Sequence, residues 1–450
     1  MFRVAENRPG AGHFSHAPPL SRLGLRWVSR GRAKTIGLRN FQLASVCIHM
    51  KIFKFYSSIV GTSGGGERVF CEMANALAAR GHEVFAVCHD YRSGLPFYPL
   101  DERVQLINLD GSGHRPSKSL VWKISQPLRL VARKMWDQYV GDPFDEKKRL
   151  AVGKPLVRLI QEIQPDIVIP HFILEYHSMI RQPLLNVPVI GMHHSNVDMF
   201  EQYSNTPDKI AKNNTCPYLQ VLHHSFVPGI QQFYHGSIHV IPNTVPQVDT
   251  RDMADLKGEK SQRTIVMVSR LEHAKQQHML IQAFGHLAKK YGEWNVEIYG
   301  QPNTQTYFLQ LQSMIRALGL SGRVKLMGAT THPLEVLRQS DIFAFPSNYP
   351  EGWGLALTEA MAVGLPCVGL KNTSSVNELI VDGINGLLAE NTPNDFAQKL
   401  QMLMDDQHLR VNMGQSGYEM MKQYAPEKVW DTWEELIEKV VRQHRQRQAA

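Results

Sequence analysis

Two glutamates, Glu351 and Glu359, which lies eight positions later, occur in the segment DIFAFPSNYPEGWGLALTEAMAVGLPCV. The segment begins as an apolar strand, continues through a polar turn that contains Gly352 and Gly354, and then becomes a helix. Backbone amides at a helix start favour an anion, and the flanking carboxylates can accept hydrogen bonds from hydroxyl groups. These features predict a site for a ligand that has many hydroxyls and a phosphate, such as a nucleotide-sugar.

A second pair of charged residues, Arg270 and Lys275, lies in TIVMVSRLEHAKQQHMLIQAF. Residues 264–268 are predicted to form a buried strand and the residues after Lys275 a helix, so both cations fall in a strand-to-helix turn. Open α/β sheets bind ligands at this edge. A guanidinium and an ammonium here could neutralise a departing diphosphate.

These segments resemble the glycosyltransferases of family 4, which have the GT-B fold, and the resemblance extends from about Met50 to about Tyr424. It implies that Glu351 contacts hydroxyls of the donor sugar, that Glu359 holds the ribose, and that Arg270 and Lys275 bind the diphosphate. The donor-binding residues implied by the resemblance are Gly65, Gly66, Arg270, Lys275, Glu351, Gly352, Trp353, Gly354, Leu355 and Glu359. The catalytic residues that it implies are His194, Arg270, Lys275 and Glu351.

The glycine-rich segment SSIVGTSGGGERV resembles the Gly-Gly-x-Glu-Arg-Val loop of the same family and would allow a phosphate or sugar to approach the backbone. The alternative is a dinucleotide fingerprint, but Val69 stands where its third glycine would be required.

Paired histidines occur twice. In PVIGMHHSN the resemblance points to His194 as the residue that faces the donor sugar, with His193 as the alternative, although either imidazole could instead cap the strand end. No role is assigned to His223 and His224. Zinc binding is not indicated, because no Cys or carboxylate lies at ligand spacing around these pairs. The chain also has no Asp-x-Asp triplet, and we expect neither a metal nor another cofactor.

Strands and helices alternate in both halves of this 450-residue chain, for example around residues 164–169 and 295–299. This pattern predicts an α/β protein with two Rossmann-like, doubly wound parallel sheets. The predicted organisation is an unstructured leader (1–49), an acceptor-side domain (50–246), a linker (247–262), a nucleotide-sugar-binding domain (263–425) and a final helix that crosses back to the first domain (426–450).

The net charge of +8 is concentrated at one end, because the leader has eight Lys or Arg residues against one Glu. The rest of the chain is about neutral, which argues against nucleic-acid binding. A second basic region, residues 115–136, has apolar residues on one predicted helical face and could lie on an anionic membrane, or it could pack with its basic side in solvent. Five scattered cysteines, with no apolar run of spanning length, favour a cytoplasmic protein that binds a membrane at most peripherally.

The resemblance implies a metal-independent, retaining transfer of a hexosyl or N-acetylhexosaminyl group to a saccharide or lipid-linked acceptor. The donor is expected to be a nucleotide-sugar linked to UDP, and the product to be bacterial lipopolysaccharide, O-antigen or capsule. Two alternatives remain. An epimerase of the same fold would convert the donor without an acceptor, and a non-catalytic carbohydrate-binding protein would bind no nucleotide.

Overall fold

The computed structural model describes residues 49–112, 143–176, 186–204, 206–348, 351–371 and 373–450. The predictions for the basic region 115–136, and for the leader up to residue 48, concern residues outside these ranges. We call the part that contains the first seven strands the first lobe and the part that contains the next six strands the second lobe.

The first lobe is built on parallel strands that follow the order β3-β2-β1-β4 in one sheet and β5-β6-β7 in another. A single parallel bridge between Val168 and Val189 connects the two sheets. The strands are β1 (Lys51–Phe55), β2 (Glu83–Cys88), β3 (Gln105–Asn108), β4 (Ile167–Pro170), β5 (Ile190–Met192), β6 (Tyr218–Val221) and β7 (Ser237–Val240).

The second lobe is one parallel sheet with the order β10-β9-β8-β11-β12-β13. Its order reverses between β8 and β11, and such a switch point opens a crevice at the carboxyl ends of the strands. The strands are β8 (Arg263–Val268), β9 (Trp294–Tyr299), β10 (Val324–Gly328), β11 (Ile342–Phe345), β12 (Cys367–Leu370) and β13 (Gly386–Ala389).

Helices connect most successive strands in both lobes, although residues 89–104 join β2 to β3 without one. Those of the first lobe are Gly65–Ala79, Pro143–Ile163, Ile173–Tyr176, Val197–Tyr203, Pro207–Asn213 and Phe226–Ile230. Those that follow β8 are Gln277–Leu287, Gln305–Ala317, Pro333–Arg338, Leu355–Ala362, Ser374–Leu379, Pro393–Asp405, Gln407–Met421 and Pro426–Ala449. Short 3-10 helices occupy Thr250–Asp252, His273–Lys275 and Lys422–Tyr424.

Apolar side chains form three layers around these sheets. Alternate residues of β1 point to opposite faces, so that Phe53 joins one cluster and Ile52 another. The cluster that contains Phe53 also includes Val266 and Phe343 of the second lobe, and is therefore shared by both lobes. The remaining cluster covers the other face of the second sheet.

The last helix, Pro426–Ala449, packs on the first lobe. Trp430, Trp433 and Ile437 are buried against the same cluster as Ile52. Polar contacts add to this packing, because Arg80 Nη2 lies 2.9 Å from Asp431 Oδ1 and Tyr218 donates a hydrogen bond of 2.9 Å to Gln443.

The fold class predicted from the sequence is confirmed: both lobes are Rossmann-like, doubly wound parallel α/β units. The strand that was predicted around residues 164–169 begins later in the structure. Gln164 has φ +49 and follows the helix Pro143–Ile163, so β4 begins only at Ile167. Pro165, next to it in the chain, cannot donate a ladder hydrogen bond. Among the described residues, none of the helices has the length and apolar character needed to cross a membrane.

Candidate active site

The basic pair follows β8 at the switch point of the second sheet. Arg270 comes two residues after the strand, and Lys275 ends the 3-10 helix His273–Lys275. Gln276 then adopts a left-handed conformation (φ +53), which is uncommon for a residue other than glycine. Its side-chain amide donates to the Pro346 carbonyl at 3.0 Å, and this bond ties the turn to the end of β11.

Lys275 and Glu351 form an ion pair between Nζ and Oε1. The two side chains are only 11% and 12% exposed. The Ser347 hydroxyl donates to the same carboxylate oxygen at 2.8 Å. The predicted sugar-binding carboxylate and one predicted diphosphate-binding cation therefore lie in direct contact.

Arg270 is far more exposed than Lys275, because 58% of its side-chain surface is accessible to solvent. Its Nη2 lies 3.2 Å from Glu272 Oε1 in the same turn. Burial raises the pKa of Tyr56 in the first lobe, and the positive charge of Arg270 opposes that rise. Arg270 is thus close enough to the first lobe for its charge to act there.

The helix that carries Glu359 starts at a glycine with positive φ. Gly354 (φ +76) is the N-cap of Leu355–Ala362, and its carbonyl accepts bonds from the amides of Leu357 and Thr358. The first amides of a helix have no intrahelical partner and are suited to an anion. Glu359 lies inward from this helix start, with its side chain only 5% exposed.

Glu359 forms an ion pair with a residue of the first lobe: Nη1 of Arg68 contacts its Oε1. Burial alone would lower the pKa of Arg68, but Glu359 and Glu72 raise it above its usual value. Arg68 belongs to the helix that follows the glycine-rich turn. Arg68 is the arginine of the segment that resembles the family's Gly-Gly-x-Glu-Arg-Val loop, but the sequence does not indicate that its side chain reaches the second lobe.

The two lobes touch along the edge of this site. A Cβ atom built on Gly352 would lie 1.9 Å from the carbonyl oxygen of His194, so only glycine fits there without a shift. A Cβ atom on Gly65 would lie 3.0 Å from Cδ1 of Leu355. Two of the predicted donor-binding glycines thus face the opposite lobe.

The structure distinguishes the two histidines that follow β5. His193 is buried and its Nε2 lies 2.9 Å from the Asn196 carbonyl oxygen, within its own loop. His194 instead stacks on His171, with ring centroids 4.1 Å apart, and neither of its buried ring nitrogens has a hydrogen-bond partner among the residues that the structure describes. Burial lowers the pKa of His194 to about 3, so that its imidazole is neutral at physiological pH.

Gly66 lies close to the rings of Tyr56 and His171. A Cβ atom at this position would be 2.9 Å from the Tyr56 hydroxyl and 3.6 Å from His171 Nε2. The rings of Tyr56 and His171 are 4.5 Å apart between centroids. The glycine-rich turn, Tyr56 and the two stacked histidines therefore form one wall on the first-lobe side.

Trp353 lies in the contact between the lobes and is only 3% exposed. Its ring stacks on His223 at 4.8 Å between centroids and meets Tyr424 edge-on at 4.9 Å. His223 therefore packs against the loop that carries Glu351, although the sequence suggested no role for it. Burial lowers the pKa of His223 to about 4.

The residues that sequence reasoning missed as parts of the site are Arg68, His171, His223, Gln276 and Ser347. Arg68, Gln276 and Ser347 lie inside the motif-bearing segments and His223 in a histidine pair, but no local pattern indicates that their side chains reach the site. Only the fold brings them there. In the parts of the chain that the structure describes, no group of three or more His, Cys, Asp or Glu residues could hold a metal ion.

Two family models match consecutive parts of the chain. The model described as "Glycosyltransferase Family 4" matches residues 63–246, and the one described as "Glycosyl transferases group 1" matches residues 248–420. The boundary between the matches falls after β7, between the two lobes.

Individual proteins give the same result. An "Uncharacterized glycosyltransferase" of Haemophilus influenzae is 25% identical over 392 residues, which are 86% of this chain and 100% of the relative. The "N-acetyl-alpha-D-glucosaminyl L-malate synthase" of Bacillus anthracis is 24% identical over 398 residues, 84% of this chain and 95% of the relative. The crystal structure of Anabaena Alr3699/HepE in complex with UDP and glucose superposes with a TM-score of 0.63 at 20% identity, over 87% of this chain and 100% of the other.

The sheet order, the two consecutive family matches and the full-length relatives agree. This chain is an enzyme of the family 4 type, a glycosyltransferase with the GT-B fold.

Proposed function

We propose that this glycosyltransferase moves a hexosyl or N-acetylhexosaminyl group from a UDP-linked donor, with retention of configuration and without a metal. The observation that carries the proposal is the ion pair of Lys275 with Glu351 at the switch point, where Lys275 shares the turn after β8 with Arg270. This arrangement provides cations for a diphosphate next to a carboxylate for sugar hydroxyls. UDP and a hexose are present in the Anabaena structure, and the Bacillus relative is named for an N-acetylglucosaminyl product.

In the proposed reaction, the bond between the anomeric carbon and the diphosphate oxygen breaks while the bond to the acceptor oxygen forms on the same face. The proton of the acceptor hydroxyl moves to the departing diphosphate oxygen, so no residue has to act as a nucleophile. Arg270, Lys275 and the amides at the start of Leu355–Ala362 would stabilise the negative charge on the leaving group. Charge stabilisation that is stronger in the transition state than in the ground state raises turnover.

Glu351 and His194 would hold the sugar during this step. A carboxylate accepts hydrogen bonds from sugar hydroxyls, whereas a neutral imidazole donates through one nitrogen and accepts through the other. Because the pKa of His194 is lowered to about 3, we assign it hydrogen bonding and not proton transfer.

The donor can be identified by a screen. UDP-, GDP-, ADP- and TDP-linked sugars are tested for thermal stabilisation and for slow hydrolysis, and the best donor is then incubated with saccharide and lipid-linked acceptors. We expect a UDP-hexose or UDP-N-acetylhexosamine to stabilise the protein, and NMR of the product to show the anomeric configuration of the donor. Inverted product, or activity lost with EDTA and restored by a divalent metal, would contradict the proposed mechanism.

We further propose that the acceptor belongs to lipopolysaccharide, O-antigen or capsule synthesis at the cytoplasmic face of a membrane. The support for the membrane location is the composition of residues 115–136, where each Lys or Arg would contribute about 1 kcal/mol to attraction by an anionic surface. Changing Lys123, Arg129, Arg133 and Lys134 to Gln should release the enzyme from anionic vesicles and leave transfer to a water-soluble acceptor intact. If the wild-type enzyme does not bind such vesicles at low salt, the proposed membrane location is contradicted.

A further inference from the structure

Arg68 belongs to the first lobe and contacts Glu359 of the second lobe. Its Nη1 contacts Oε1 of Glu359, while its Nε donates to Glu72 Oε1 at 2.7 Å. Arg68 is 23% exposed, against 5% for the Glu359 side chain. The guanidinium is therefore held on one side by its own helix and on the other by the second lobe.

This contact parallels the ion pair of Lys275 with Glu351. Both carboxylates that are assigned to donor hydroxyls are paired with a cation in the same structure. Ionised carboxylates only accept hydrogen bonds, and guanidinium or ammonium groups only donate them. A nucleoside diphosphate brings both complements, hydroxyl donors for the carboxylates and phosphate acceptors for the cations.

An exchange of partners would keep every buried charge compensated. If ribose hydroxyls took Glu359 and nothing replaced it at Arg68, a largely buried cation would lose one of its two carboxylate partners, which is costly. A diphosphate oxygen would restore the lost contact, since guanidinium binds phosphate well. Glu72 still holds Nε, so that the outer nitrogens need only turn towards the new partner.

We propose that Arg68 is a donor-binding residue of the first lobe, which holds Glu359 in the free enzyme and passes to the diphosphate when the donor binds. This inference rests on the proposed function, because it requires a nucleoside diphosphate in the site. It adds a cationic side chain of the first lobe to the glycine-rich turn and His194, which are already assigned to the donor. Donor binding would thereby replace a direct contact between the lobes with one made through the ligand.

The test compares a nucleoside diphosphate with its nucleoside. UDP, GDP and ADP are titrated into the wild-type enzyme by calorimetry, and the tightest one and its nucleoside are then titrated into Arg68→Gln. We expect the variant to lose roughly tenfold or more in diphosphate affinity, the scale of one hydrogen bond to a charged group. Nucleoside affinity should stay the same or rise, because Glu359 is no longer neutralised by Arg68.

Two further variants sharpen the result. Arg68→Lys keeps the charge and should recover part of the diphosphate affinity, which also shows that the effect is not due to misfolding. Arg80→Gln is the matched control, since Arg80 follows the same helix but contacts Asp431 and Glu434 on the last helix. It should change neither affinity.

Equal losses for nucleoside and diphosphate would show that Arg68 only orients Glu359, and an unchanged diphosphate affinity would show that it does not bind the donor. Either result overturns the inference and leaves the proposed function standing, provided that the wild type still binds and transfers. A wild-type enzyme that binds no nucleoside diphosphate overturns both.

Discussion

At the scale of single residues, the site is organised as cation–carboxylate pairs. Lys275 holds Glu351 within the second lobe, and Arg68 holds Glu359 from the first. Arg270 is the more accessible cation, although it lies beside Glu272. Because the residues are paired, a substitution at one member also changes the charge environment of its partner.

The first prediction concerns the diphosphate. Arg270→Ala and Lys275→Gln should each lower kcat by roughly a hundredfold or more, the scale of losing one preorganised charge partner. Gln is chosen at position 275 because Lys275 is mostly buried against Glu351, and an amide still donates to that carboxylate. Initial rates at saturating donor test this, with Arg251→Ala as the control because its side chain is 81% exposed in the segment between the lobes. Near-normal rates in both variants would refute the assignment.

The second prediction separates the two glutamates. Glu359→Ala should weaken binding of both the free nucleoside diphosphate and the donor, because Glu359 is assigned to the ribose. Glu351→Ala should spare the free nucleotide and weaken only the additional binding that comes from the sugar. Calorimetry with nucleotide and donor measures both effects, and the reverse pattern would mean that the two roles are exchanged.

At the scale of elements, the sequence predicted the parts of the site that lie within one strand–turn–helix unit. Residues 264–268 and 342–345 are predicted as strands because all but the first residue of 264–268 are apolar, and the structure has β8 and β11 there. The turns after them therefore place Arg270, Lys275 and Glu351 at one sheet edge.

Contacts between units could not be predicted in this way. Arg68 and Glu359 are 291 residues apart in the chain, and no local pattern encodes their meeting. The stacking of His223 on Trp353 has the same origin, because it depends on how one lobe packs against the other. Periodicity describes which face of an element is buried, but not which distant side chain covers it.

The third prediction concerns the closest approach of the lobes. Gly352→Ala would place a methyl carbon 1.9 Å from the His194 carbonyl oxygen, and backbone cannot move aside as a side chain can. The lobes must then shift, and a misplacement of about 1 Å can lower activity roughly a hundredfold. We expect kcat/KM to fall on that scale with little change in melting temperature.

Gly322→Ala is the matched control for this substitution, because a Cβ atom there would meet nothing within 4 Å. Its kcat/KM should equal that of the wild type. Equal activity of Gly352→Ala would mean that catalysis does not need the contact between Gly352 and His194.

At the scale of the whole molecule, the apolar layers enclose a lysine that has no exposed surface. Lys54 lies in the central strand β1 with no exposed surface, and its Nζ lies 3.0 Å from Met73 Sδ. Burial lowers its pKa from 10.5 to about 7, although Cys71 and Glu175 oppose this shift. Burial lowers the pKa values of His171 and His194, and the positive charge of Lys54 lowers them further.

The last prediction follows from this shift. Between about pH 7 and pH 10.5 the unfolded chain keeps the Lys54 proton that the folded chain has lost, so the free energy of unfolding should rise with pH. Below pH 7 both states are protonated, and the folded state bears the full cost of the buried charge. Lys54→Met removes the titration and should be more stable than the wild type at pH 7.5.

The stability difference between wild type and Lys54→Met should then shrink by about 1.4 kcal/mol per pH unit from pH 8 to pH 9.5. Denaturant unfolding at several pH values measures it. Burial raises the pKa of Glu175 to about 7, so the comparison is repeated in a Glu175→Gln background to isolate the lysine. Parallel stability curves would show that Lys54 keeps its proton in the fold. A narrowing gap would show that the first lobe contains a lysine that is neutral above pH 7, next to the wall formed by His171 and His194.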